Sequence, residues 1–130
     1  MENMKYSILT TPINTMSRNG VIYSEKALSQ MAEQINSKKT PCTFGFPNDI
    51  GKCFDIQFED KVIGMCNSAK VTEQGLVVEI NMLGNNIIPD EMTVGFAINA
   101  NKTEYGDVID PHVMRAYTLL KEDSQWKSDN

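Results

Sequence analysis

The chain has 130 residues, of which 41% are hydrophobic and 22% are charged, and its formal net charge is −5. This length and apolar content suit one domain with a single core. The acidic balance argues against nucleic acid and anionic membranes as partners. No run of the sequence approaches the ~20 apolar residues of a membrane helix, and the N-terminus lacks the apolar core of a signal peptide. We therefore expect a chain that is made in a cytoplasm.

The cysteines and the single histidine, His112, argue against a metal site. There are three cysteines, and none of them forms a Cys-x-x-Cys pair. Cys42, Cys53 and Cys66 all lie in apolar stretches, so we predict that they are buried free thiols. No metal and no other cofactor is expected.

The first part of the chain predicts one strand, a turn and a helix. Residues 5–14 alternate in the manner of a strand, and residues 17–20, Ser-Arg-Asn-Gly, predict a turn because Asn and Gly both tolerate positive φ. Ser24 is a favourable N-cap. Apolar residues then recur at helical spacing and predict a helix over residues 24–37. They are Ala27, Leu28, Met31, Ala32 and Ile35.

The middle of the chain predicts strands that are joined by short turns. Residues 40–49 form a short apolar run bracketed by Pro41 and Pro47, which predicts a strand that starts and stops abruptly. Strict alternation then predicts a strand over residues 50–58. Two more strands follow after tight turns and complete an antiparallel meander, over residues 62–72 and 76–83.

The last third of the chain predicts two further strands and a polar tail. Residues 92–100 alternate cleanly, and residues 101–107 form a polar loop. Residues 113–121 predict a last strand, with a short helix capped by Asp110-Pro111 as the alternative. The tail from residue 123 is polar apart from Trp126. Since tryptophan is enriched at interfaces, we predict that Trp126 contacts a partner subunit.

One helix among about seven strands indicates an α+β domain. Closing these strands into a small, mostly antiparallel barrel would leave no exposed sheet edges. We therefore predict one barrel domain over residues 1–122 with the helix packed against it, and a separate tail over residues 123–130. The side chains predicted to be largely buried are Leu28, Phe54, Ile56, Leu76, Val78, Ile80, Val94 and Phe96.

Three short motifs occur in a fixed order along the chain. Residues 17–23 are Ser-Arg-Asn-Gly-Val-Ile-Tyr, residues 43–47 are Thr-Phe-Gly-Phe-Pro, and residues 92–96 are Met-Thr-Val-Gly-Phe. They resemble the Asn-Arg-Asn-Gly-x-x-Tyr-Pro, Gly-x-x-His-Pro and Met-Ser-Ile-Gly-Phe segments of the bacteriophage prohead maturation proteases, whose barrel is similar to that of the herpesvirus assemblins. The likeness spans roughly residues 6–122. It implies a prohead-protease-like fold.

The chain departs from this family at both catalytic positions. The family's second segment holds a catalytic histidine and its third segment a nucleophilic serine, whereas this chain has Phe46 and Thr93 there. A hydroxyl nucleophile needs a neighbouring base that takes its proton, and a phenyl ring cannot do this. Threonine can attack, but its extra methyl group restricts χ1 and usually requires a differently built site. The departures therefore argue against catalysis.

Two main functions follow from these residues. The first is a bacteriophage virion structural protein, a capsid decoration, cement or head-assembly protein without proteolysis, whose partners are the major capsid protein and further copies of itself. The second is an active prohead maturation protease with an altered dyad, in which Thr93 attacks and His112 or Asp49 is the base. Position 46 favours the first. A non-viral binding module is a third hypothesis, because a fold does not fix a function.

Overall fold

The structure, a computed structural model, describes residues 4–45 and 61–126 and consists there of one helix and six strands. In chain order the elements are β1 (Lys5–Pro12), α1 (Glu25–Ser37), β2 (Thr40–Thr43), β3 (Val62–Thr72), β4 (Gly75–Met82), β5 (Met92–Lys102), β6 (Val108–Leu120) and a short 3-10 helix (Lys121–Asp123). The strand predicted over residues 50–58 lies outside the described residues. The α+β class and the single helix are confirmed, and the number of strands described is six rather than about seven.

The six strands form one sheet that curls into a half-barrel, with the order β1-β4-β3-β2-β6-β5. Neighbouring strands are antiparallel except for β2 and β6, which are parallel. Short connections explain two of the antiparallel pairs, β3–β4 and β5–β6, since a turn of a few residues returns the chain beside the strand it has just left. Because β1 and β5 are the two terminal strands and line common grooves, the open side of the half-barrel lies between them.

Helix α1 covers one face of this sheet. Ser24 caps it by accepting a hydrogen bond from the Ala27 backbone N–H at 3.2 Å, so the helix proper begins at Glu25. The predicted apolar stripe is the buried face: Ala27, Leu28, Met31, Ala32 and Ile35. Leu28, Met31 and Ile35 are fully buried, and each such side chain contributes about 1.5–3 kcal/mol relative to exposure. This stripe therefore holds the helix on the sheet.

The last turn of α1 continues the hydrogen bonding of β2. Strand β2 lies between β3 and β6 but begins only at Thr40, so both neighbours extend beyond it. On the β6 side, the Gln34 amide donates to the Pro111 carbonyl at 2.7 Å and accepts from the Val113 N–H at 2.8 Å. On the β3 side, the Asn36 amide donates to the Ala69 carbonyl and accepts from the Ala69 N–H, both at 2.9 Å. Two side-chain amides thus replace a missing stretch of strand.

The core follows most of the predicted pattern. Leu28, Leu76, Val78, Ile80 and Val94 are buried as predicted. Phe96 is only half-buried, because it lies on a terminal strand with a neighbour on one side. Phe54 and Ile56 lie outside the described residues. A second, smaller cluster lies on the other face of β5, where Ala97 packs with Tyr117.

Strand β6 begins earlier than predicted. It starts at Val108 rather than at residue 113, and β5 runs on to Lys102, so the polar loop between them is shorter than expected. Asp110 and Pro111 lie within β6, which excludes the alternative of a helix capped there. They stand opposite the single residue between Asn99 and Asn101, in a bulge, and Asp110 has a φ of +49°. Proline fits a bulge because its missing N–H removes no ladder bond.

Candidate functional site

Thr93, the candidate nucleophile of the sequence, lines a groove on the open side of the half-barrel. This Thr93 groove has a volume of about 350 Å³ and is bounded by residues 6–9 of β1, by residues 88–90 and by Met92, Thr93 and Lys121. The Tyr6 hydroxyl accepts a hydrogen bond from the Ile88 N–H at 3.1 Å. This bond fixes the loop before β5 against β1, so the rim of the groove is held in place.

The ionisable side chains of the Thr93 groove are poorly suited to activate a hydroxyl. Besides the Tyr6 phenol, whose hydroxyl is bonded to the Ile88 backbone, the described ionisable side chains are Asp90 and Lys121, and both are exposed. A general base must lie within hydrogen-bond reach of the hydroxyl whose proton it takes. No hydrogen bond joins the Thr93 hydroxyl to either group in the part of the chain that the structure describes. Thr93 is half-buried and behaves as an ordinary strand residue.

His112 lies far from Thr93. Along the β5–β6 pair, Thr93 stands opposite Leu119 and Asn99 stands opposite His112. Six residues of strand therefore separate Thr93 from the histidine, which at ~3.3 Å per residue is roughly 20 Å. The side chain of His112 is exposed and lines a different groove, between the end of α1 and β6. The structure thus does not bring this predicted base to Thr93, while Phe46 and Asp49 lie outside the described residues.

The strand that precedes Phe46 lies one strand away from the strand that carries Thr93. Gly45, the last described residue before Phe46, donates its backbone N–H to the Thr118 hydroxyl at 2.9 Å. Thr118 is fully buried on β6 and pairs with Val94, which follows Thr93. The end of β2 and the start of β5 therefore flank the same residue of β6.

Two thiols are buried as predicted and are not candidate nucleophiles. Cys42 and Cys66 are free and buried, while Cys53 lies outside the described residues. Burial raises the pKa of the Cys42 thiol to about 12. Burial, and secondarily the neighbouring Cys42, raises the pKa of Cys66 further still. Since the thiolate is the reactive form, both thiols are inert at neutral pH.

Trp126 packs on its own chain. Its ring lies 5.9 Å from that of Tyr23, and its Nε1–H donates to the Thr15 carbonyl at 3.2 Å. The preceding residue, Gln125, accepts a hydrogen bond from the Arg18 N–H at 2.8 Å. Residues 124–126, here called the C-terminal arm, therefore lie against the barrel. The polarity of the tail had instead predicted a segment separate from the barrel. A contact between Trp126 and a partner subunit stays a prediction.

Sequence reasoning missed Arg115. It stands on β6 opposite Ala97 and is fully buried. Polar or charged partners stabilise a buried guanidinium, and Arg115 takes part in at least one polar, charged or ring interaction. The sequence signal that could have found it is an arginine inside the mostly apolar stretch 113–120. Alternation alone does not show which face of such a strand is buried. Arg115 therefore belongs to the interior of the molecule.

Comparison of the chain with models of protein families, with curated protein sequences and with solved structures finds no match. Within residues 4–45 and 61–126, no group of three or more His, Cys, Asp and Glu side chains could hold a metal ion. The helix described in the structure is too short and too polar to cross a membrane.

Proposed function

We propose that this chain is a bacteriophage virion structural protein, a capsid decoration, cement or head-assembly protein, built on a prohead-protease-like barrel and without proteolytic activity. The observation that carries the proposal is the setting of Thr93. The charged groups of its groove among the described residues are one exposed carboxylate and one exposed ammonium, neither of them hydrogen-bonded to Thr93, and the histidine is roughly 20 Å away along the sheet. Phe46 adds no base, because its ring cannot accept a proton.

The arrangement of β2, β6 and β5 supports the protease lineage in this proposal. In the family that the chain resembles, the base and the nucleophile come from the second and third motifs. Here the second motif ends β2 and the third motif starts β5, and both lie beside Thr118. The motifs that are far apart in sequence are therefore neighbours in the sheet. A shared origin explains this arrangement, and the substitutions at positions 46 and 93 explain the lost reaction.

Exposed apolar side chains support a role in assembly. Five of them lie at the end of the sheet where β1, β3 and β5 begin and β2, β4 and β6 end, and each is between 39% and 56% exposed. They are Met4, Phe44, Leu83, Ile87 and Leu120. We call this set the apolar end. Clustered apolar surface of this kind marks interaction sites, and the major capsid protein is the partner we propose for it.

Co-sedimentation with capsid shells tests the proposal. The purified chain is expected to pellet with shells of its major capsid protein and to leave that protein uncleaved. Leu83→Lys and Ile87→Lys should reduce binding at least tenfold, because each places a charge in the apolar end. Tyr105→Lys is the matched control, since Tyr105 is 75% exposed at the opposite end of the sheet. Cleavage of the capsid protein by the wild-type chain, lost in Thr93→Ala, would instead establish the protease.

A further inference from the structure

The open side of the half-barrel is filled in part by the C-terminal arm. The arm shares a small cavity of about 30 Å³ with side chains of both terminal strands, including Thr10 on β1 and Val94 and Phe96 on β5. The described strands β1 and β5 form no backbone pairs with each other. The arm thus occupies a seat between two strand edges that the sheet itself leaves open.

The contacts that hold the arm are made with a distant part of the sequence. Gln125 bonds to Arg18, while Trp126 bonds to Thr15 and packs on Tyr23. All three contact residues belong to the connection between β1 and α1, more than 100 positions away, and none belongs to the strand that carries the arm. The same contacts are therefore available to the arm of another molecule.

The segment that joins the arm to β6 is suited to act as a hinge. It is the 3-10 helix Lys121–Asp123, whose residues are all exposed. Its backbone bonds to described residues are the Lys121 N–H to the Glu91 carbonyl at 2.9 Å, the Ser124 N–H to the Lys121 carbonyl at 3.2 Å, and the Arg18 Nη1–H to the Glu122 carbonyl at 3.4 Å. Straightening this turn withdraws Trp126 from Tyr23 but breaks no strand pair of the sheet, and three extended residues span about 10 Å. The arm can therefore swing out without unfolding the barrel.

We infer that the C-terminal arm is exchanged between copies of this chain, so that residues 124–126 of one molecule occupy the seat of the next. An exchanged element makes the contacts it already makes within one chain, and its transfer therefore costs little. At low concentration the arm stays in its own seat, because the local concentration of a tethered segment is high. Crowding of copies on a surface removes that advantage. The inference rests on the self-association that forms part of the proposed function.

Disulfide trapping between two variants that each carry one introduced cysteine tests the exchange; the native Cys42 and Cys66 are buried. Arg18 and Gln125 are joined by a backbone hydrogen bond, which places their Cα atoms within disulfide reach. In a Cys53→Ser background, Arg18→Cys and Gln125→Cys are purified separately, mixed and oxidised over a range of protein concentrations. A covalent heterodimer is expected in the mixture, in a yield that rises with concentration. The double variant, with both cysteines in one chain, is expected to close within the monomer at low concentration and confirms the geometry.

A matched pair separates exchange from random collision. Ser29 is exposed on α1, away from the seat, so a mixture of Ser29→Cys and Gln125→Cys reports collision alone. Exchange predicts at least five times more heterodimer with Arg18→Cys than with Ser29→Cys, and Trp126→Ala on the Gln125→Cys chain should abolish the difference. Equal heterodimer yields with Arg18→Cys and Ser29→Cys would refute the exchange. So would the absence of heterodimer when the double variant readily forms its intramolecular disulfide. Either result leaves the capsid role standing, because co-sedimentation measures that role separately.

Discussion

Replacing Gln34 by leucine tests whether a side-chain amide stands in for a strand. The substitution removes the donor to the Pro111 carbonyl and the acceptor for the Val113 N–H. Each such hydrogen bond contributes about 0.5–1.5 kcal/mol net, so losing both should lower the free energy of unfolding by about 1–3 kcal/mol. Gln34 is half-buried, so water can replace part of the lost bonding to the two backbone groups. The loss is therefore expected in the lower half of this range of about 1–3 kcal/mol. Urea denaturation followed by far-UV circular dichroism measures the loss.

Gln30→Leu is the matched control for this prediction. Gln30 lies one turn earlier on the same helix, and its amide makes a single exposed bond to Asp110 at 3.4 Å. Leucine and glutamine have similar helix propensities, so propensity cancels between the two variants. Gln30→Leu should lower the free energy of unfolding by under about 0.5 kcal/mol, because Gln30 is half-buried like Gln34 but its one bond is long and exposed. Equal losses in the two variants would show that Gln34 does not replace the strand.

Three further predictions concern the site, the thiols and the arm. A serine-directed phosphonate should not label Thr93 under conditions in which it fully labels an active serine protease. Detection of the Thr93 adduct by mass spectrometry would restore the protease hypothesis. Because burial raises the pKa of Cys42 and Cys66 above the ordinary value of 9.0, the unfolded chain loses these protons first, and stability should fall as the pH rises above 9. Urea titrations at pH 8 and 10 should show this fall. In a Cys53→Ser background, replacing Cys42 and Cys66 by alanine should make the fall smaller. If the fall between pH 8 and 10 is the same with and without these two thiols, they are not its cause. Trp126→Ala should lower the free energy of unfolding by about 1–2 kcal/mol, less than the ~3–5 kcal/mol expected for a fully buried aromatic side chain. An unaltered urea midpoint would show that the arm does not stabilise the barrel.

Local signals predicted the helix and most strands correctly. Ser24 and the stripe behind it gave the helix because an N-cap and a 3.6-residue period act within a few residues of each other. The meander of β3 and β4 followed from alternation and from one tight turn. Patterns of this range are visible in a single sequence. The need for Gly75 is not, because its φ is +143° and a Cβ there would lie 2.1 Å from the carbonyl oxygen of Thr11 on the distant strand β1.

The remaining features depend on contacts between distant residues. Asp110-Pro111 suggests a helix start, yet pairing with β5 and the Gln34 amide hold it in a strand bulge. The polarity of the tail hides Trp126, whose partners are more than 100 residues away. Thr93 and His112 were proposed together because both carry suitable chemistry, but the register of the β5–β6 pair separates them. Neither composition nor periodicity specifies such registers.

The groups that hold the candidate site together are not the groups that a protease uses. The Gly45 N–H binds the Thr118 hydroxyl, and the Thr43 hydroxyl binds the Ala116 carbonyl at 3.4 Å, so β2 is fastened to β6 by backbone and hydroxyl groups. These bonds require neither an imidazole at position 46 nor a serine at position 93. In the proposed function, substitution at two positions removes the reaction and leaves the strand contacts that define the fold. Selection for assembly can then preserve the fold, because the apolar end and the seat of the arm depend on the strands and not on the chemistry between them.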